Sequence, residues 1–132
     1  MIEYVWRGEL ADAEMVDLVA SHGGEPVEGW WDRIRDCSLG WVTARREDGH
    51  LVGFVNVAWD GCDHAFILDT KTRGDYQRRG IGTELVRQAE LHAAAAGCEW
   101  LHVDFRFELA PFYLDCCRFS STAAGVMHLR RA

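Results

Sequence analysis

The sequence predicts an α/β fold of the α+β type: a central, mixed but mostly antiparallel twisted sheet with helices on both faces. Three observations carry that expectation. Apolar segments at 39–45, 51–59 and 64–72 follow one another across short polar turns, one of which holds Asp48-Gly49, a hairpin-favouring pair. The last of these segments then hands over, through Gln77-Arg78-Arg79-Gly80-Ile81-Gly82, to a long helical pattern. Beyond that helix, Leu101, Val103, Phe105 and Phe107 alternate with Trp100, His102, Asp104 and Arg106, the period of a strand. A helix joining two strands of one sheet makes a parallel, right-handed crossover the default, so the sheet is mixed.

The elements follow in order. Residues 3–6 alternate as a short first strand. Asp12 or Glu9 is placed to cap a helix ending near Ser21, with Leu10, Ala13, Val16 and Ala20 at helical spacing. His22-Gly23-Gly24-Glu25-Pro26 stops it. A second helix is expected over 28–37. It carries Trp30 and Trp31, which as neighbours cannot share a helix face, so one is expected in the core and the other on a pocket wall. Three strands of a meander come next. The helix over 82–96 puts Ile81, Leu85, Ala89 and Ala93 on one stripe and ends at Gly97. Residues 100–107 form the following strand, 108–117 a short helix with Pro111 in its first turn, and 125–129 a closing strand.

The 132 residues suffice for one domain, 1–132, with a sizeable core. A formal net charge of −7 argues against nucleic acid as a partner and favours a cationic one. No apolar run approaches the ~20 residues of a membrane span, and the first residues lack the basic and apolar regions of a secretory signal. Five cysteines, an odd number without C-x-x-C spacing, read as reduced thiols and a cytoplasmic setting. Six scattered histidines, none in H-E-x-x-H, give no metal-binding spacing.

The strand-to-helix loop is the strongest chemical signal. There the first helical amides lack intrahelical partners and the helix dipole is positive, which suits a phosphate. Gly80 and Gly82 keep side chains away from those amides, and Arg78 and Arg79 add charge. The loop is not a P-loop, since no Gly-Lys pair exists. It is not a dinucleotide fingerprint either, since position 85 is Leu rather than Gly. A glycine turn without a ligand satisfies the bare pattern equally.

Gln77-x-x-Gly80-x-Gly82 closely resembles the pyrophosphate loop of the GNAT N-acetyltransferase superfamily, and the element order resembles that family along the whole chain. The resemblance implies a sheet in which the strand before the loop splays from the one after the helix, with acetyl-CoA as co-substrate in the gap and no metal. It implies that Thr70, Lys71 and Thr72 pair with the pantetheine arm. Gln77 and the amides of Arg78, Arg79, Gly80, Ile81, Gly82 and Thr83 would hold the pyrophosphate. Pro111-Phe112-Tyr113 resembles the family's Phe-Tyr helix, which makes Tyr113 the general acid for the departing thiolate. As a residue type alone, Tyr113 equally fits a core position. Asp69 aligns with a frequent acidic position and is the candidate base. If buried, its carboxyl would have a raised pKa, while His102, Asp104 and Glu108 are rivals.

Two positions depart from the family pattern. Arg106 stands where an Asn commonly bonds the pantetheine, and Arg118 where the helix commonly ends in Gly. Arg118 costs roughly 1 kcal/mol if the position is left-handed. The expected activity is transfer of acetyl from acetyl-CoA to a primary amine of a small molecule or peptide, bound near Trp30 and Trp31, by a monomer or homodimer. A non-catalytic acyl-CoA sensor is the alternative from another class.

Overall fold

The computed structural model describes residues 1–130. Five strands form one sheet in the order β1-β2-β3-β4-β5: β1 Glu3–Trp6, β2 Ser38–Arg45, β3 Leu51–Trp59, β4 His64–Thr72 and β5 Trp100–His102. The first four pair antiparallel, and β4 pairs parallel with β5. Helix α1 spans Asp12–Ser21, α2 Trp30–Ile34 and α3 Ile81–Ala95.

The period of two along β3 separates two cores. Val55 and Val57 point to the α3 side with Val42, Ala44, Ala65 and Ile67, where they meet Ile81, Leu85, Ala89 and Ala93 of the helix stripe. Phe54 points the other way, onto Met15 and Leu18 of α1 and Trp31 of α2. Each large side chain so buried contributes about 1.5–3 kcal/mol. Gly53 sets how near α3 can lie. A Cβ there would stand 3.0 Å from both Ile81 Cγ2 and Leu85 Cδ1.

Helix α1 differs from expectation in its cap and its stripe. Neither Asp12 nor Glu9 caps it. Ala11 is the N-cap residue, and Glu14 Oε1 accepts the Ala11 amide at 3.0 Å. Asp12 instead accepts the Gly29 amide at 2.7 Å and the Trp31 amide at 3.1 Å, which ties the start of α2 to α1. Met15 and Leu18 are buried while Ala13 and Ala20 are exposed, because the larger side chains gain more by facing the sheet. Arg45 locks this end of α1 to the sheet. Its two terminal nitrogens meet the Glu14 carboxylate at 2.6 and 3.0 Å.

Two strand expectations are corrected. The burial alternation continues from Trp100 to Arg106, but the ladder stops at His102, since β4 has turned away and offers no partner. Residues 125–129 form no strand. Val126, Met127 and Leu129 are exposed and pair with no neighbouring strand among the described residues, and an unpaired segment has no ladder to hold it extended.

Candidate active site

The gap between β4 and β5 is the centre of the site. The strands are hydrogen-bonded only over His64–Phe66 and Trp100–His102. Beyond Phe66, β4 stays paired to β3 and leaves β5. A β-bulge lies in this half of β4: Phe54 pairs with Lys71 and Asn56 with Leu68, so Asp69 and Thr70 together oppose Val55. Asp69 is left-handed, with φ 59°, which a short polar side chain tolerates better than most. The bulge bends the strand and redirects Asp69, Thr70 and Lys71. Sequence reasoning missed it. The only signal was an Asp at a strand position, a residue type that reaches the left-handed region without glycine.

The loop after β4 ends at Gly80, which is left-handed at φ 81° with open space where a Cβ would stand. The first helical hydrogen bond runs from the Glu84 amide to the Gly80 carbonyl. The amides of Arg78 to Thr83 meet no backbone carbonyl outside the helix among the described residues. They are therefore free to bind an anion. Gln77 braces the loop from below, donating to the Thr72 carbonyl at 3.4 Å. The side chains of the two arginines divide. Arg78 is exposed at φ 65°, while the Arg79 guanidinium lies 4.7 Å over the Tyr76 ring, toward a cavity of about 290 Å³ that Tyr4 and Arg46 also line.

At Gly82 a Cβ would stand 3.2 Å from Phe112 Cζ, so this glycine also makes room for an aromatic ring.

That ring belongs to a π-helical turn, Pro111–Cys116, in which the Cys117 amide reaches back five residues to the Phe112 carbonyl at 2.9 Å. Single π turns of this kind are frequent at functional sites. Tyr113 is its buried residue, 7% exposed, stacked on Phe105 and edge-on to Phe112 and Phe119. Its hydroxyl donates to Thr70 Oγ1 at 3.4 Å, in the part of β4 that has left β5. Burial pushes its pKa above the usual value, against the lowering effect of the Thr70 hydrogen bond. Arg118, just past the turn, is left-handed at φ 65°, the condition under which arginine in place of glycine carries a cost. Arg106 is exposed at the start of a 3₁₀ turn, Phe107–Leu109.

A cavity of about 140 Å³ lies on the α1/α2 side of the same bulge. Asp69, Lys71, Trp30 and Glu25 line it with Met15, Val16, Val19, Pro26 and Val27. Lys71 Nζ stands 5.2 Å over the Trp30 ring and 3.7 Å from Asp69 Oδ1. Its side chain is only 15% exposed. Burial pushes the ammonium's pKa below its usual value, and the Asp69 carboxylate pulls the other way.

The expected division of the tryptophans holds, with Trp31 fully buried between Trp41 and Phe54 and Trp30 on the cavity wall, so of the two named for an acceptor Trp30 alone can touch one. Asp69 is exposed, not the buried carboxylate that the base argument asked for. Of its rivals, His102 Nε2 lies 2.7 Å from His64 Nδ1 where β4 and β5 join, and Asp104 and Glu108 are exposed.

The sheet parts between two parallel strands beside a glycine-capped helix, the arrangement that the sequence resemblance implied. The family model of the acetyltransferase (GNAT) family matches residues 7–116, and the chain belongs to that family. It is 31% identical over 101 residues to the uncharacterised protein YdhI of Bacillus subtilis (strain 168), a match covering 75% of this chain and 61% of that one. The chain thus spans about three-fifths of that relative's length. A candidate acetyltransferase of Deinococcus radiodurans R1 shares its fold with a TM-score of 0.75 at 25% identity, over 98% of this chain and 88% of that one. The fold also matches AAC(6')-Iy in complex with the bisubstrate analogue CoA-S-monomethyl-acetylneamine. There the TM-score is 0.77 at 14% identity, over 100% of this chain and 99% of that one.

Proposed function

We propose that the chain transfers an acetyl group from acetyl-CoA to a small primary amine by direct attack. The observation that carries this reading is the bulged half of β4, which brings three features together. The free amides before and within the first turn of α3 lie at its end. The Tyr113 hydroxyl meets it at Thr70. The acceptor-sized cavity opens beside it at Asp69 and Lys71. The amides of Arg78 to Thr83 and the open space at Gly80 fit a pyrophosphate, and the β4 edge from Thr70 to Thr72 fits the pantetheine amides.

In this reading Tyr113 holds a proton for the leaving thiolate. A phenol is protonated through the neutral range and burial raises the Tyr113 pKa further, so the proton is there to be given. Asp69 faces the cavity and takes the proton shed by the amine, directly or through water. The cavity offers an acceptor an apolar wall of Met15, Val16, Val19 and Val27. Trp30 does not hold the acceptor's cation over its ring, because Lys71 already occupies that position. The acceptor's charge meets the Asp69 and Glu25 carboxylates instead.

Thiol release from acetyl-CoA across a panel of small amines tests the reading. Turnover on at least one primary amine is the expected result. Saturable coenzyme binding with no turnover on any amine would favour the sensor.

A further inference from the structure

Lys71 is the one lysine in the 132 residues, against thirteen arginines. It is also the one side-chain amine in the acceptor cavity, held 5.2 Å over the Trp30 ring and next in sequence to the residue that meets Tyr113. We propose that Lys71 is itself acetylated by acetyl-CoA bound at the loop, so that the enzyme modifies its own acceptor cavity. This rests on the coenzyme reading above.

The Lys71 amine lines the cavity that the reading above assigns to the acceptor. A lysine on an open surface is a protonated, solvated cation without a free lone pair. Lys71 is largely withdrawn from water, and its lowered pKa raises the share of free amine. The other nucleophile near the gap is less suited. Burial pushes the Cys117 thiol up to about 11, so it stays protonated at neutral pH.

In the step, the Nζ lone pair forms a bond to the acetyl carbonyl carbon. The carbon–sulfur bond breaks and its electron pair leaves with sulfur. Tyr113 gives the thiolate its proton. The proton shed by Nζ passes to Asp69, and exchange with solvent returns both groups to their starting states. The products are Nε-acetyl-lysine and coenzyme A thiol. Acetylation removes the cation that offsets Asp69 and uncovers the Trp30 face. The cavity then holds two carboxylates, Glu25 and Asp69, without a counter-charge, and so binds cationic acceptors more tightly.

The test is intact-mass and fragment-ion mapping of the purified chain incubated with acetyl-CoA and no acceptor, beside a calorimetric titration of the same coenzyme. With a single lysine, an acetyl adduct on an amine lies either at Lys71 or at the exposed N-terminal amine. One adduct per chain at Lys71 is expected. Its rate should saturate with acetyl-CoA, should not depend on protein concentration, and should collapse in the denatured chain. The adduct should be lost in Lys71→Arg. Saturable coenzyme binding with Lys71 unmodified would overturn the proposal alone. So would an adduct confined to Met1, or equal rates in folded and denatured chain. Absence of coenzyme binding would overturn the proposal together with the function it rests on.

Discussion

Tyr113→Phe separates the chemical role of this residue from its structural one, because the two effects have very different sizes. The ring is 7% exposed and packs against Phe105, Phe112 and Phe119, and phenylalanine keeps all of that contact. What is lost is one hydroxyl, whose hydrogen bond to Thr70 is long at 3.4 Å. Such a bond contributes at most about 1 kcal/mol to stability. A general acid contributes roughly 10²–10⁴ in rate, or about 3–5 kcal/mol in the barrier. The variant should therefore unfold at nearly the wild-type denaturant midpoint and bind acetyl-CoA with nearly the same Kd, while kcat for thiol release falls at least a hundredfold. The raised phenol pKa adds a sign: any loss of wild-type activity from Tyr113 ionisation should set in at higher pH than for an ordinary phenol. Near-wild-type kcat in a folded Tyr113→Phe protein would refute the acid role. A parallel loss of stability and coenzyme affinity would show that Tyr113 is a core residue.

Three further outcomes follow from the fold. Arg118→Gly should stabilise by about 1 kcal/mol, since φ is 65° there, and a lower chemical-denaturation midpoint would contradict the strain argument. Glu14→Gln should cost about 1 kcal/mol at neutral pH, after allowing for screening of a partly exposed pair. The Arg45 hydrogen bonds hold the Glu14 pKa below 4.5, so this contribution is present above that pH and lost as pH falls through the folded value. Stability curves for the two proteins should converge in acid, and a gap independent of pH would exclude the ion pair as its cause. Gly53→Val should cost about 1–3 kcal/mol by pressing a branched side chain into Ile81 and Leu85, and an unchanged unfolding midpoint would mean α3 shifts freely.

The elements and their order were legible where period and punctuation agreed. The α3 stripe of Ile81, Leu85, Ala89 and Ala93, its stop at Gly97 and the Asp48-Gly49 hairpin are all local properties, and the structure keeps them. What the sequence hid depends on partners. The alternation to Phe107 is a true record of which side chains face inward as far as Arg106, yet a strand also needs a neighbour, and β4 parts from β5 after Phe66. The chain at 125–129 has the residues of a strand and no partner among the described residues. Asp12 looked like a cap because caps are local, but its carboxylate is spent on α2.

The site was legible in part for the same reason. The loop and Tyr113 sit at fixed spacing from local elements. By contrast, the meeting of Gly82 with Phe112, and of Lys71 with Trp30, joins residues distant in the chain and needs the fold to be seen.

The central claim is that acetyl-CoA bound beside the bulge of β4 gives its acetyl group to an amine. Counting thiol released per chain, with and without a small primary amine, tests it most directly. The account predicts no more than about one equivalent without acceptor, from Lys71, and many equivalents with the right amine, saturating in both substrates. Saturable coenzyme binding with thiol release held at one equivalent or less for every amine tried would contradict it.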